Sequence, residues 1–338
     1  MKTEQLFSLF SNKRTLFVTT KGTSYLRNTQ EYTMLEEKCA AIYLAGSDSK
    51  SYFVRVLKAY WESIKTLASK RVERVFIGFA PQLMLPLLWI CKIGGKSVSI
   101  DFFISMYDTF VCDRKRIKET SVTAKILHWI DRKTLSLADY YISDTKAHKD
   151  YFVEEFGADP QKGAVLYLKA DDTIYYPMQI EKPVEWKDKF VVLYFGSVLP
   201  LQGIPVVLEA IRQCAADDRI RFVFVGPLEK SLHVDTNQYT NTAFYSWLSQ
   251  EELAKKIAMA DLCLAGHFNS EISKAKRTIA GKTYIYRAMG KPVILGNNAA
   301  NRELFEEEKN QIYFVEMGNA TALAKLIKHI ADDWSNVQ

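Results

Sequence analysis

Three stretches of the chain hold residue types whose spacing suits chemistry. In Phe190 to Ala210, FVVLYFGSVLPLQGIPVVLEA, an apolar run ends in a turn with Gly196 and Ser197, and Gly203 stands directly before an amphipathic segment. Glycines let backbone approach a ligand closely, and the free amides of a helix start attract phosphate. In Lys274 to Lys282, KAKRTIAGK, the cations Lys274, Lys276, Arg277 and Lys282 precede a segment of helical period that stops at Gly290. Cations at a helix start oppose the helix dipole unless an anion sits among them, so this pattern points to a bound diphosphate; a solvated basic face is the plainer reading. The third is Asp101, at the end of an apolar run, with Asp108 and Arg114 beyond it. A carboxylate so placed can orient and partly deprotonate a hydroxyl group, or simply cap loop backbone. Asp171-Asp172 are neighbours whose side chains need not converge, and with no clean Asp-x-Asp or Cys/His cluster the sequence predicts no metal site.

The elements that must position these residues alternate along the chain. Candidate strands are Thr15 to Thr20, Ala40 to Leu44, Arg74 to Phe79, Ser97 to Phe102, Tyr140 to Ser143 and Ala164 to Leu168, with helical segments near Ser51 to Ser69, Pro81 to Lys92, Ala124 to Leu137 and Thr145 to Phe156. The pattern restarts with Phe190 to Phe195, Ile220 to Val225, Ala243 to Trp247, Leu262 to Ala265, Pro292 to Leu295 and Ile312 to Val315. Strands alternating with helices predict βαβ units and parallel sheets, here two doubly wound α/β domains. Asp171 to Lys189, with Pro177, Pro183 and no clean period, reads as the linker, giving domains 1–175 and 176–338. Open parallel sheets bind ligands at the carboxyl ends of their strands, so a cleft between the domains is the expected site.

Composition narrows the classes. At 338 residues, 48% hydrophobic and 25% charged, the chain is an ordinary globular protein of about two domains, and disorder is excluded. The longest apolar run, Leu83 to Cys91, is far short of a bilayer span, and the N-terminus lacks the pattern of a secretory signal, so a cytoplasmic location is expected. Five scattered cysteines are expected to be reduced and mostly buried. The net charge of +6 lies wholly before residue 180, where 26 basic residues face 20 acidic ones. That is too modest and dispersed for nucleic acid, which is not an expected partner, but it would suit work near anionic lipid headgroups as well as a plain solvated surface. Within it, Ser51 to Arg71 sets Phe53, Val54, Leu57, Trp61, Ile64 and Leu67 at helical spacing beside Arg55, Lys58, Lys65, Lys70 and Arg71. Such a helix either covers its own sheet or lies on a membrane surface, which would make the association with the inner face of the membrane peripheral.

Taken together, FGSVLPLQGIPVVLEAI, FVFVGP, WLSQEELAKKIAMADLCLAG, and KAKRTIAGKTYIYRAMGKPVILG with NRELF resemble the retaining family 4 glycosyltransferases, of bacterial polysaccharide and glycolipid type. In the first half the carriers are DFFISMYDTFVCDR, DRKTLSLADYYISDTKAHKDYFVEEFGA and the Lys169 to Asp172 turn. The resemblance implies the GT-B fold and transfer of a hexosyl group, with retention, from a UDP- or GDP-linked nucleotide sugar to a saccharide or lipid-linked acceptor. The donor would lie on the C-terminal domain and the acceptor on the N-terminal one, without metal or further cofactor. It implies donor contacts at Gly22, Gly196, Ser197, Gln202, Gly203, Trp247, Leu248, His267, Lys274, Arg277 and Lys282, acceptor contacts at Asp101, Asp108 and Arg114, and catalytic roles for Asp101 and Glu271. Trp247 is equally readable as core, His267 as a plain loop residue and Glu271 as a surface glutamate. The pattern departs from the family in two places. Ser197 and Gln202 stand where the family commonly has Arg and Lys, and Arg277 and Ile285 stand where it has a pair of glutamates. Ile285 cannot accept hydrogen bonds from ribose hydroxyls, which keeps open a catalytically silent subunit or a sugar-nucleotide epimerase of the same architecture.

Overall fold

The computed structural model describes residues 1–228, 232 and 234–336. They divide into two compact units, Met1–Lys169 and Ala170–Gln338. The division falls before the Pro-containing stretch rather than at 175, because Ala170 and Tyr175 are buried in the second unit among Val191, Leu193 and Tyr286.

The first unit holds the parallel strands β1 (Arg14–Val18), β2 (Ala41–Ala45), β3 (Arg74–Ile77), β4 (Ser97–Asp101), β5 (Tyr140–Ser143) and β6 (Gly163–Val165), in the order β2-β1-β3-β4-β5-β6. Alternate residues face opposite layers, as strand geometry requires. Leu16, Val18, Val75 and Ile77 pack under α3 (Tyr52–Ser69), α4 (Leu85–Ile93), α5 (Val122–Leu137) and α6 (Lys146–Phe156), while Phe17 and Phe76 pack under α1 (Thr3–Ser8) and α2 (Leu26–Glu36). The first six expected strands are all present; α2 was not expected. Asp108–Asp113 forms a short π-helix.

The second unit repeats the scheme with β7 (Phe190–Phe195), β8 (Ile220–Val225), β9 (Thr242–Tyr245), β10 (Leu262–Gly266), β11 (Val293–Gly296) and β12 (Ile312–Val315), in the order β12-β11-β10-β7-β8-β9. Its helices are α7 (Ile204–Gln213), α8 (Gln250–Met259), α9 (Ser273–Arg277), α10 (Gly281–Ala288), α11 (Ala299–Leu304) and α12 (Ala320–Ser335). The strand order reverses between β7 and β10, so the loops after these two strands stand side by side at the switch point where open α/β sheets take ligands. No disulfide forms among the described residues, and Cys91, Cys214 and Cys263 are buried. No described helix is long and apolar enough to cross a membrane.

Candidate functional site

In the second unit the switch-point loops meet backbone to backbone. Gly203, at φ +69°, caps α7, and a Cβ there would lie 2.6 Å from both the Phe268 carbonyl carbon and the Asn269 amide nitrogen, so only glycine fits. Asn269 Nδ2 donates to the Pro200 carbonyl at 2.9 Å, and the Phe268 amide donates to that of Gln202 at 3.3 Å. The start of α7 has no side-chain cap, but Pro205 carries no N–H and the Gly203 and Val206 amides donate to the Pro200 and Gly203 carbonyls at 3.2 and 2.9 Å, so of its first turn only the Ile204 amide is left to offer an anion.

Beneath this edge lies Lys282, at the N-terminus of α10. It is 5% exposed, and its Nζ has no hydrogen-bond partner among the described residues; it rests 3.7 Å from the centre of the Tyr194 ring. A Cβ at Gly196 would come within 3.0 Å of that Nζ. The turn after β7 is thus glycine where a buried cation approaches it from below. Burial drives the Lys282 ammonium well below its ordinary pKa, since nothing but an aromatic face offsets its desolvation. Tyr286, one turn along α10, accepts from the Phe195 amide at 3.2 Å and holds helix to strand.

The four cations expected to cluster before one helix are distributed otherwise. Thr278 to Ala280 interrupt the helix, leaving Lys274, Lys276 and Arg277 on α9 and Lys282 on α10. Lys276 is exposed, Lys274 and Arg277 are half-buried, and only Lys282 is buried. Ser197 and Glu271 are exposed; the Glu271 amide donates to Asn269 Oδ1 at 2.8 Å while its side chain stands at the surface. His267 is buried at the end of β10, and Gln202 Oε1 is 3.3 Å from Tyr194 Oη. Ile285 packs half-buried against the apolar cluster of Tyr286 and Met289. Trp247 is 76% exposed, which removes the core alternative, whereas Leu248 packs inward. Just before Trp247, Gly226, Pro227, Leu228, Thr236, Phe244, Tyr245 and Ser246 line a cavity of about 280 Å³ at the ends of β8 and β9; nothing in the sequence had marked it.

In the first unit the expectation for Asp101 is corrected. Its side chain is wholly buried, and its two oxygens accept from Arg27 Nε and Nη2, each at 2.7 Å, while Arg27 Nη1 donates to the Leu166 carbonyl at 2.7 Å. A carboxylate held bidentately and out of water cannot deprotonate an acceptor. Asp108 is likewise buried and Arg114 exposed, so the three do not form one acceptor surface. Gly22 lies in a loop pinned by Asp48, whose carboxylate accepts from the Thr23 amide at 2.6 Å and hydroxyl at 2.8 Å.

Sequence reasoning missed the partners of Asp101. Arg27, Asn28 and Glu31 form the buried face of α2. Burial, reinforced by Asp101, pushes the Glu31 carboxyl well above the usual range despite Arg27 Nε at 3.6 Å. One guanidinium charge is already balanced by Asp101, so Glu31 favours its protonated form. Nearby, His148 Nδ1 is 2.7 Å from Asp144 Oδ1; although burial works against the charge, His148 and Arg27 hold the Asp144 carboxyl below its ordinary value. Among the described residues no group of three or more His, Cys, Asp or Glu could hold a metal ion.

With this geometry in view, comparisons with known proteins place the chain. Residues 189–333 match the family model of Glycosyl transferases group 1. Sucrose-phosphate synthase from Thermosynechococcus elongatus superposes with a TM-score of 0.68 at 14% identity, covering 95% of this chain and 90% of that one. Anabaena HepE in complex with UDP gives 0.64 at 15%, with the same coverage. The chain has the GT-B fold. The catalytic domain of Arabidopsis thaliana starch synthase IV, bound to ADP and acarbose, shares the fold at a TM-score of 0.64 and 9% identity, over 94% of this chain and 92% of that one. No curated protein matches the chain in sequence. The matched segment begins at Lys189, directly before β7, and so contains both switch-point loops, Lys282 and the cavity beside Trp247.

Proposed function

We propose that this chain transfers a hexosyl group, with retention, from a nucleotide sugar to an acceptor hydroxyl, in the manner of family 4 glycosyltransferases and in the synthesis of a cell-surface polysaccharide or glycolipid. The observation that carries the reading is Lys282, whose buried amine has no hydrogen-bond partner among the described residues and lies under the Gly196 turn, at the switch point of the segment that matches this family model. The solved relatives in complex with UDP, UDP-glucose and ADP support a nucleotide donor.

In this reading the donor diphosphate meets Lys282 and the uncapped start of α7, and the base lies by the cavity next to Trp247. As the glycosidic bond to phosphate breaks, negative charge grows on the leaving diphosphate. A cation fixed beneath the Gly196 turn, with the Ile204 amide at the start of α7, stabilises that charge without reorganising, the role a metal ion takes elsewhere. Removal of the acceptor proton falls to the leaving phosphate oxygen, since Asp101 is committed to Arg27. Screening UDP-, GDP- and ADP-sugars by thermal shift identifies the donor, because a ligand bound only to the folded state raises Tm by mass action. Transfer of labelled sugar to a saccharide or lipid-linked acceptor then tests the reaction, and retention is read from the anomeric signal of the product by NMR.

Ile285 favours a second reading. An aliphatic side chain packed on Tyr286 and Met289 leaves no carboxylate at that position for a ribose, as in a nucleotide-binding relative without transferase activity. Nucleotide binding with no sugar transferred to any acceptor would select it.

A further inference from the structure

We infer that the layer formed by α3, α4 and α5 is a docking surface for a bilayer rich in anionic lipid. These helices cover the same side of the first unit's sheet, and the Tyr60 hydroxyl of α3 donates to the Leu83 carbonyl just before α4 at 2.8 Å. Each turns apolar side chains outward as well as inward. On α3, Phe53, Leu57, Trp61 and Ile64 follow one stripe, with Phe53 at 70% and Trp61 at 71% exposure. On α4 the stripe is Trp89, Ile90 and Ile93, the last 86% exposed, and on α5 it is Val122, Ile126 and Trp129. The inward faces carry a different set, Ala59, Leu87, Leu88 and Leu135, so the sheet is covered without the outward stripes. Helix α3 thus covers its sheet and keeps a second apolar face.

Charge decides what that face meets. Lys58, Lys65, Lys125 and Arg132 are exposed among the stripes, and Lys133 Nζ stands 5.8 Å over the Trp89 ring. The acidic residues of these helices, Glu62 and Asp131, are turned away: Glu62 accepts from the Gly46 amide at 2.9 Å, and Asp131 is buried, accepting from Ser105, Tyr107 and Gln82. A second copy of this face would bring cation against cation with no carboxylate between. Aromatic and aliphatic side chains ringed by lysine and arginine instead suit the interface of an anionic bilayer, where the rings enter the acyl boundary and the cations lie at headgroup phosphates. No described helix can cross a bilayer, so the attachment is peripheral. The inference does not rest on the donor reading.

The test is co-sedimentation of the full chain with large vesicles of phosphatidylcholine containing about a third phosphatidylglycerol, against phosphatidylcholine alone, in low and high salt. The expected result is binding to the anionic vesicles that weakens several-fold in about 0.5 M salt, and falls more than about tenfold for the double variant Phe53→Ser with Trp61→Ser. Lys58→Glu with Lys65→Glu should abolish the preference for anionic lipid, and both variants should keep the wild-type melting temperature. Failure of the wild-type chain to pellet with anionic vesicles, or equal binding by the double variants, overturns the inference. So does a dimer in sedimentation velocity that the apolar double variant dissolves while vesicles bind nothing, which would assign the face to a second copy.

Discussion

Replacing Lys282 by methionine keeps the length of the side chain and removes its charge, and the structure predicts opposite effects on the empty and the loaded protein. Nζ is buried with only the Tyr194 ring, 3.7 Å away, as compensation. Removing a charge from water costs several kcal/mol, and a desolvated cation–π contact returns only about 2 kcal/mol of it, so Lys282→Met should stabilise the empty protein by about 1 to 3 kcal/mol. A charged hydrogen bond to diphosphate is worth about 1.5 to 3 kcal/mol, so the same change should weaken UDP binding by about 10- to 150-fold. The pH dependence follows from the direction of the shift. Burial lowers the lysine pKa, so between that lowered value and the ordinary one the unfolded chain holds more protons than the folded one. Stability of the empty protein therefore rises with pH across this window, and the variant should lose the rise. Bound diphosphate favours the charged form, so within that same pH window wild type should take up protons on binding UDP. Calorimetry in two buffers of different ionisation enthalpy measures both affinity and proton uptake. UDP affinity unchanged within about twofold, with no proton uptake by wild type, would refute the placement of the diphosphate over Lys282.

Other expectations concern the first unit and the exposed tryptophan. Glu31 has its carboxyl pKa raised in the folded state, so the folded chain holds more protons above the ordinary carboxylate range and stability falls as pH rises through it. Glu31→Gln should flatten that fall, as urea midpoints at several pH values will show. Asp101→Asn strands the Arg27 guanidinium without its carboxylate and should cost about 3 to 5 kcal/mol in urea unfolding; normal stability with transfer abolished would instead return Asp101 to a catalytic role. Trp247→Ala should leave stability within about 0.5 kcal/mol because the ring is 76% exposed, yet weaken nucleotide binding by about 0.5 to 1.5 kcal/mol in calorimetry if the ring stacks on the base.

The strands were legible because each is a short β-branched or aromatic run bounded by turn residues, and the ends of every strand anticipated lie within three residues of their place. Helix α2 was not, and the reason is physical. Its inward face is Arg27, Asn28, Glu31 and Leu35, so a search for apolar periodicity passes over it, although those polar residues are what hold Asp101. The same omission made Asp101 look available: a carboxylate at a strand end reads identically whether it faces a ligand or a guanidinium brought from 74 residues away. His148 escaped notice because its partner Asp144 becomes a neighbour only once α6 forms. In the second unit the glycines were readable, as turns that only glycine fits. The basic run was misjudged because Thr278 to Ala280 break what looked like one helix start, separating an exposed cation from a buried one.

At Gly203 the two loops of the switch point touch through main chain, with the Phe268 and Asn269 backbone where a side chain would stand. The scaffold of that corner is therefore indifferent to most of the side chains hung upon it. Ser197 or Glu271 can be exchanged while the peptide frame keeps its place, whereas the Asn269 side chain ties the Pro200 carbonyl to the Glu271 and Ile272 amides. A library built on this corner has a wide alphabet at its disposal, and two letters it must leave alone.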